Sequence, residues 1–383
     1  MIPRTLFSEE HVLFRDAVRK FADKDVRPDL QEWEEREDTG TDIWKKCGEA
    51  GFLCATVDDA YGGAGADKLY SMILLEELGP LGGLGLSLAM HSDIVARYIQ
   101  SYGSEYLKTK YLPKMVSGEM IGALAMSEPS AGSDVKTVKT RAERKGDHWV
   151  LNGSKIFISN GYHSGLVVVV AQTDKSLGAK GISLFVVDRD MPGFEKGKKL
   201  KKVGLRAQDT AELFFNDVIV PAENLLGEEN KGFIHCMQDL PWERLQIAIM
   251  AVACAEYALE LTKSYVTDRK LFGQRVSDFQ NTRFRLAELA SEIQIGRVFV
   301  DRCMELELKG KLSSNEASMA KYWCTDLQGR VVDECVQLHG GYGFMHEYEI
   351  SRAWTDARAQ RIYGGTNEVM KEMIANSILG KAK

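Results

Sequence analysis

Two changes of texture along the chain predict an α+β multi-domain protein: an N-terminal all-α domain, a middle antiparallel β-barrel or sandwich domain, and a C-terminal helical bundle. Apolar residues recur at helical spacing up to about residue 120, β-branched runs crowd residues 148–220, and long helical stretches return beyond Pro241.

Ser8 is placed to cap a first helix, in which Leu13, Phe14, Val18 and Phe21 keep helical spacing; Tyr70 to Leu78 and Ile94 to Tyr102 repeat the pattern. Two β-rich runs, 148–151 and 155–158, flank Asn152-Gly153, a pair that signals a tight hairpin. Val167 to Ala171, Ile182 to Val187 and Glu212 to Val220 follow as strands at short spacing, which favours a compact antiparallel barrel or sandwich over βαβ units. Helical stretches are expected over 243–268, 277–309, 314–338 and 366–378, interrupted at Phe272-Gly273 and at Gly340-Gly341-Tyr342-Gly343. Long helices with short connections make a bundle. The division is 1–120, 121–232 and 233–383.

With 383 residues, 44% of them apolar, the chain has material for two or three packed units. A net charge of −6 argues against nucleic acid as a partner, since phosphate binding needs clustered cations. Lys198-Lys199 and Lys201-Lys202 form the densest basic run, read either as a solvated turn or as a contact to a polyanionic ligand. Seven scattered cysteines without a C-x-x-C pair indicate neither a disulfide framework nor a zinc site, so no metal is expected. From Met1-Ile2-Pro3 to Ser8-Glu9-Glu10 no targeting pattern is visible, and apolar runs such as Leu166 to Ala171 fall far short of the roughly 20 residues of a membrane span. The expectation is a soluble, cytoplasmic protein of bacterial type.

Three segments could carry chemistry. Met126-Ser127-Glu128-Pro129-Ser130-Ala131-Gly132-Ser133-Asp134 is a polar domain junction, or a turn whose N–H groups hold an anion or a heterocycle edge. Gln337-Leu338-His339-Gly340-Gly341-Tyr342-Gly343-Phe344 is a helix-to-helix turn, or a place where the chain approaches a bulky ligand because no Cβ intervenes. In Asp239-Leu240-Pro241-Trp242-Glu243-Arg244, Pro241 fits a first helical turn, and Glu243 would complement the helix dipole or form an ion pair.

Together these segments resemble, in order and separation, the two signatures of the acyl-CoA dehydrogenase family, the second running from Gln337 to Glu347, Arg352 and Asp356. The resemblance covers essentially the whole chain. It implies an α-helical domain, a β domain and a four-helix C-terminal domain around FAD. It further implies that Ser127 and Ser159 hydrogen-bond the flavin, with Phe157 stacked near it, and that Arg269, Phe272 and Gln280 hold the FAD pyrophosphate and adenosine of a neighbouring subunit. Gln337, Gly340 and Gly341 would complete that grip, with Thr366 and Glu368 a further part. A homo-oligomer, a tetramer by family expectation, follows from the same resemblance.

The catalytic base divides this family. Most members place a glutamate directly before the Gly-Thr of the C-terminal motif, where this chain has Gly364 in Tyr363-Gly364-Gly365-Thr366. The long-chain and isovaleryl types place it instead on the helix after the β domain, before an arginine, a pattern that Glu243-Arg244 matches. The resemblance, closest to the long-chain type, assigns the base to Glu243 and leaves Gly364 with the backbone N–H that, beside a flavin ribityl hydroxyl, holds the developing enolate oxygen. Arg244 would orient the Glu243 segment or contact the CoA side, and Ser133 would contact the CoA moiety. Burial is expected to raise the Glu243 pKa while the helix N-terminus pulls it down. The implied reaction is α,β-dehydrogenation of an acyl-CoA, long-chain or branched, to the trans-2-enoyl-CoA, with electrons passed to an electron-transfer flavoprotein. An oxidase of the same fold using oxygen, and a catalytically silent acyl-CoA- or FAD-binding protein, are the rival readings; a single-unit length favours the dehydrogenase over the oxidase.

Overall fold

Ser8 opens the first helix through its side chain and backbone: its hydroxyl lies 2.8 Å from His11 Nδ1, and its N–H donates to that nitrogen at 3.2 Å. The computed structural model describes residues 2–380. After α1 (Glu9–Phe21) come α2 (Leu30–Arg36), α3 (Asp42–Glu49), α4 (Lys68–Leu78), α5 (Leu84–Ala89), α6 (Ala96–Tyr102) and α7 (Glu105–Val116). A π-helical turn, Met90–Val95, feeds α6.

The middle of the chain is one sheet of β1 (Gly122–Ala125), β2 (Arg141–Lys145), β3 (His148–Ser159), β4 (Leu166–Gln172), β5 (Ile182–Asp188), β6 (Phe194–Lys199), β7 (Thr210–Pro221) and β8 (Leu225–Leu226). The hydrogen-bonded order is β6-β7-β3-β2-β4-β5-β8, with β1 beside β4; pairing is antiparallel except for β4 with β1 and with β2. Val167, Val169, Phe185 and Val187 face the sheet's own core, whereas Leu166, Val168, Leu184 and Val186 join the core of the N-terminal helices. Strands covered on both faces must be apolar throughout, which is why β4 and β5 show no alternation.

Asn152-Gly153 does not form the expected hairpin. Both residues lie inside β3, where its register against β7 slips between Leu151 and Gly153. Asn152 donates its amide to Asp217 Oδ1 at 2.9 Å and accepts the Asp217 N–H at 3.0 Å, while a Cβ at residue 153 would stand 2.4 Å from Thr140 Oγ1. The pair thus builds a bulge rather than a turn. The real hairpin is at Gly146-Asp147, where Lys145 pairs with His148 and Gly146 takes a φ of +64°.

The last part holds α8 (Gly232–Asp268), a small hairpin of β9 (Lys270–Leu271) and β10 (Gln274–Arg275), then α9 (Gln280–Leu308), α10 (Ser314–His339), α11 (Glu349–Gln360) and α12 (Asn367–Leu379). Two expectations fail here. Periodicity missed α11, and Pro241 is not in a first turn: α8 begins nine residues earlier, so Pro241 sits within it and leaves the Met237 carbonyl without its i+4 donor. A run of 37 residues makes α8 about 55 Å long. Its Trp242, Leu245, Ile249 and Val252 pack with Met72 of α4, Val300 of α9 and Cys324 of α10. An 18-residue stretch of α8 has a mean hydropathy of 1.4, and 78% of it is buried in this way.

The helical domains are tied together by Glu76 of α4, whose buried carboxylate accepts Arg4 at 2.8 Å, Arg15 at 2.7 Å and Arg297 of α9 at 2.6 Å. Burial alone would raise its pKa, but Arg297, Arg4 and Arg15 hold it at about 2. Lys199 and Lys202, from the basic run, pair internally with Asp38 and the Gln208 carbonyl. All seven cysteines are free and buried.

Glu76→Gln strands several arginines around a neutral amide and is expected to lower stability by about 3–5 kcal/mol in urea melts. Because the folded pKa of Glu76 is depressed, its contribution is complete above its ordinary value of 4.5 and drains away as pH falls toward about 2. The wild type should therefore lose stability more steeply than Glu76→Gln across that acid window, and parallel curves would contradict the clamp.

Candidate active site

Asp239, Glu243 and Ile247 follow one another at four-residue steps on α8 and so share one face. Glu243 is buried there and accepts the Tyr98 hydroxyl of α6 at 3.0 Å. Burial pushes its pKa up to about 7, the nearby Asp239 adding to the rise and Tyr98, Arg244 and Arg97 opposing it. The helix N-terminus lies three turns away, beyond the reach of its dipole on this carboxylate, so the expected downward pull is missing.

Opposite stands the turn after α11. Gly364 and Gly365 take φ of +67° and +90°, and a Cβ at residue 364 would lie 2.4 Å from Ile247 Cδ1. The space beside Gly364 is therefore filled by the side chain one turn beyond Glu243. Among the described residues no acceptor takes the Gly364 N–H, whereas its carbonyl faces Arg244 Nε at 3.5 Å and the Gly365 carbonyl accepts Lys321 Nζ at 2.7 Å. Two buried cations thus hold the turn by its carbonyls. Among the described residues Arg244 is otherwise bonded only to Ser314 and Ser318 and makes no side-chain contact to Glu243 within hydrogen-bond distance.

In the sheet, Phe157 combines a φ of +61° with 68% exposure, in the irregular stretch between Lys155 and Ile158. A left-handed phenylalanine pushed into the open is strained and solvated unfavourably, a combination that marks a ligand surface. Ile156 donates its N–H to the Ser127 carbonyl at 3.0 Å, and Ser159 pairs with Thr210, so Ser127, in the segment after β1, lies against the stretch of β3 that carries Phe157 and Ser159. What pins Ser127 there is a fully buried ion pair. Lys155 Nζ donates to Glu128 Oε1 at 2.9 Å and to the Met126 carbonyl at 3.0 Å, and Glu128 also accepts the N–H groups of Lys139 and Thr140.

A third group gathers at the end of α8. Arg269, Gln337, Gly340 and Gly341 line a cavity of about 580 Å³ together with Tyr265, stacked on His339 at 4.2 Å, and Tyr342. Nothing lies within 4 Å of where a Cβ would stand on Gly340 or Gly341. Phe272, at the tip of the β9–β10 hairpin, is 97% exposed, and Gln280 is exposed at the start of α9. Thr366 caps α12 by accepting the Val369 N–H at 3.3 Å, Glu368 is exposed in the next turn, and Ser133 is exposed beside the Glu128–Ala131 bridge. The structure therefore gathers the site residues foreseen from the sequence into three groups and leaves Ser133, Phe272, Gln280 and Glu368 on open surface.

Family models of the acyl-CoA dehydrogenase N-terminal, middle and C-terminal domains match residues 8–119, 123–218 and 230–379. The chain belongs to the acyl-CoA dehydrogenase family. A mouse long-chain specific acyl-CoA dehydrogenase is 50% identical over 98% of this chain and 88% of its own length. A crystal structure of an acyl-CoA dehydrogenase from Geobacillus kaustophilus superimposes with a TM-score of 0.97 at 51% identity, covering 98% of this chain and 100% of that one. A glutaryl-CoA dehydrogenase from Mycobacterium smegmatis, solved in complex with FADH2, gives 0.93 at 29% identity over 99% and 96% of the two chains.

Members of this acyl-CoA dehydrogenase family dehydrogenate acyl-CoA thioesters with FAD, and the residues here suit that cofactor. An unpartnered aromatic and adjacent hydroxyls fit a flavin ring, and an arginine, a glutamine amide and bare glycine backbone around an open cavity fit a dinucleotide. The sequence reading passed over Ile247, Tyr98, Lys155 and Lys321. Ile247 could have been found from its four-residue spacing to Glu243, but Tyr98 is 145 residues away and carries no local signal.

Gly364→Ala is expected to lose about 1–2 kcal/mol from the left-handed backbone alone, with the Ile247 collision added. In calorimetry the loss should shrink when Ile247→Ala is combined with it, a positive coupling between the two sites. Strict additivity would mean that the two walls do not touch.

Proposed function

We propose that this acyl-CoA dehydrogenase acts on long-chain acyl-CoA thioesters, with Glu243 as the base that takes the α-proton, and gives the trans-2-enoyl-CoA. The observation that carries the assignment is a carboxylate buried within α8 and bonded to Tyr98, one turn from the Ile247 side chain that fills the space beside Gly364; burial pushes its pKa up to about 7. A base is most useful when its pKa lies near the working pH. The identity to the mouse long-chain enzyme supports the substrate class.

Each residue then has a task. The thioester α-proton becomes acidic only when negative charge on the carbonyl oxygen is met by fixed donors, and the free Gly364 N–H is one. Lys321 and Arg244 keep that N–H aimed outward by holding the carbonyls on the turn's other side. FAD, when bound, would supply the hydride acceptor for the β-hydrogen. Ser127, Ser159 and Phe157 would hold the flavin ring, and Arg269, Gln337, Gly340 and Gly341 the dinucleotide. Phe272 and Gln280 would reach the cofactor of a neighbouring subunit, with Thr366 and Glu368 adding to it and Ser133 meeting CoA. A homo-oligomer is the assembly this reading requires, a tetramer by family expectation, and apolar Phe272, Phe284 and Ile295 on open surface support subunit contacts. An electron-transfer flavoprotein is the proposed acceptor.

Glu243→Gln should keep its yellow FAD yet lose about 10²–10⁴-fold in the anaerobic rate at which palmitoyl-CoA bleaches the flavin band; near-normal bleaching would move the base elsewhere. Among butyryl-, octanoyl-, palmitoyl- and isovaleryl-CoA, palmitoyl-CoA should bleach best, and a dominant isovaleryl rate would refute the long-chain reading. Phe272→Ser should lower FAD retention on gel filtration without lowering the apoprotein's helical content; unchanged retention would detach the hairpin from the cofactor.

A further inference from the structure

α6 presents three polar side chains to the face of α8 that carries Glu243. Arg97 Nε donates to Asp239 Oδ1 at 2.8 Å, the Tyr102 hydroxyl donates to Asp239 Oδ2 at 2.7 Å, and the Tyr98 hydroxyl donates to Glu243 Oε1 at 3.0 Å. Two carboxylates one turn apart in a buried interface would ordinarily compete for a single proton. Here their partners differ. Asp239 holds a guanidinium and a phenol, one donor on each oxygen, while Glu243 holds one neutral phenol and keeps its second oxygen uncommitted.

We propose that α6 is the positioning element for the base: Tyr98 fixes the Glu243 carboxylate by Oε1 so that Oε2 faces the substrate, and Asp239, clamped by Arg97 and Tyr102, is the fixed negative charge against which Glu243 gains and releases its proton. This rests on the reading of Glu243 as base and adds residues to it. Tyr98 belongs to the core of the N-terminal helices, and its hydroxyl reaches α8. Tyr98 is 1% exposed, packs edge-on to Tyr102 with centroids 5.9 Å apart, and spends its only O–H on Glu243. The arrangement also accounts for the direction of the Glu243 shift, in which burial comes first and Asp239 adds to it while Tyr98 opposes.

The groups that face Glu243 are few. From α6 they are Arg97 and Tyr98; from α8 itself, the Cys236 thiol, Asp239 and Arg244. Lys68 of α4 stands behind them, near Arg97 and Asp239 and paired to Glu307, and Lys321 of α10 stands behind Arg244. The Cys236 thiol is pushed up to about 12 by burial and stays neutral in the working range. Arg97 and Asp239 are therefore the charges on the α6 side that can be altered without touching the Gly364 turn.

The test is the pH dependence of flavin bleaching by palmitoyl-CoA at limiting substrate, read in the holoenzyme by anaerobic stopped flow. Tyr98→Phe removes a hydrogen bond that favours the carboxylate, so its acid limb should move up by about one pH unit. Asp239→Asn removes the opposing negative charge, so its limb should move down. Arg97→Gln, at a partly exposed and more tolerant position, should move it up. A residue that only supports the fold would lower the plateau or the melting temperature without driving the limb in opposite directions. If Glu243→Gln abolishes bleaching while all three variants keep the wild-type limb, the base stands and the positioning proposal fails. If Glu243→Gln still bleaches normally, the base assignment itself has failed.

Discussion

A helix of 37 residues that is apolar around most of its circumference cannot lie on a surface, and the architecture follows from the need to cover α8. Its successive stretches belong to three cores: Cys236 joins that of the N-terminal helices, Trp242 to Val252 pack with α4, α9 and α10, and Ala255 to Leu259 pack with Leu289, Leu327 and Val331. No single partner could do this, because each neighbouring helix shields only one stripe. Covering α8 brings the N-terminal helices against the C-terminal bundle, and the Glu76 clamp to Arg4, Arg15 and Arg297 fastens the two at their shared edge.

That burial is also what gives the site its chemistry. A carboxylate at an exposed position or in a helix's first turn would be ionised well below neutral pH, and its proton affinity would be too low to be useful. Glu243 is placed beyond the dipole of its helix and away from water, so burial raises its proton affinity first and the neighbouring Asp239 adds to it. The opposite wall uses the reverse strategy. The Gly364-Gly365 turn has no side chain, and its carbonyls are held from behind by Lys321 and Arg244, which leaves backbone donors as its only offering. One wall accepts a proton, and the other stabilises the charge left behind.

The order of domains was legible because period and composition change where the architecture does. The strand runs Val167–Ala171 and Ile182–Val187 and the long helices fall close to β4, β5, α9 and α10. The failures share a cause. Asn152-Gly153 has turn chemistry locally, but Thr140 and Asp217, distant in sequence, make it a bulge; Pro241 has helix-start chemistry, but tertiary packing carries α8 straight through it. α11 was missed because its apolar face is short, docked through Ile350 and Ala357 on a bundle that no local window contains. In the site, residues belonging to contiguous motifs were visible, whereas Tyr98 and Lys155 act across domain or strand pairings and became visible only when the chain was folded.

The contact between Ile247 and the place where a Cβ on residue 364 would stand limits where a second carboxylate could be accommodated in this cleft. Adding a glutamate at residue 364 meets an occupied volume while Ile247 remains, and two facing carboxylates in a dry cleft would share one proton rather than act as alternates. A shorter residue 247 would open that room without adding or removing a charge. In this chain the acid on one wall and the bulk of the residue one helical turn beyond it leave the other wall to bare backbone.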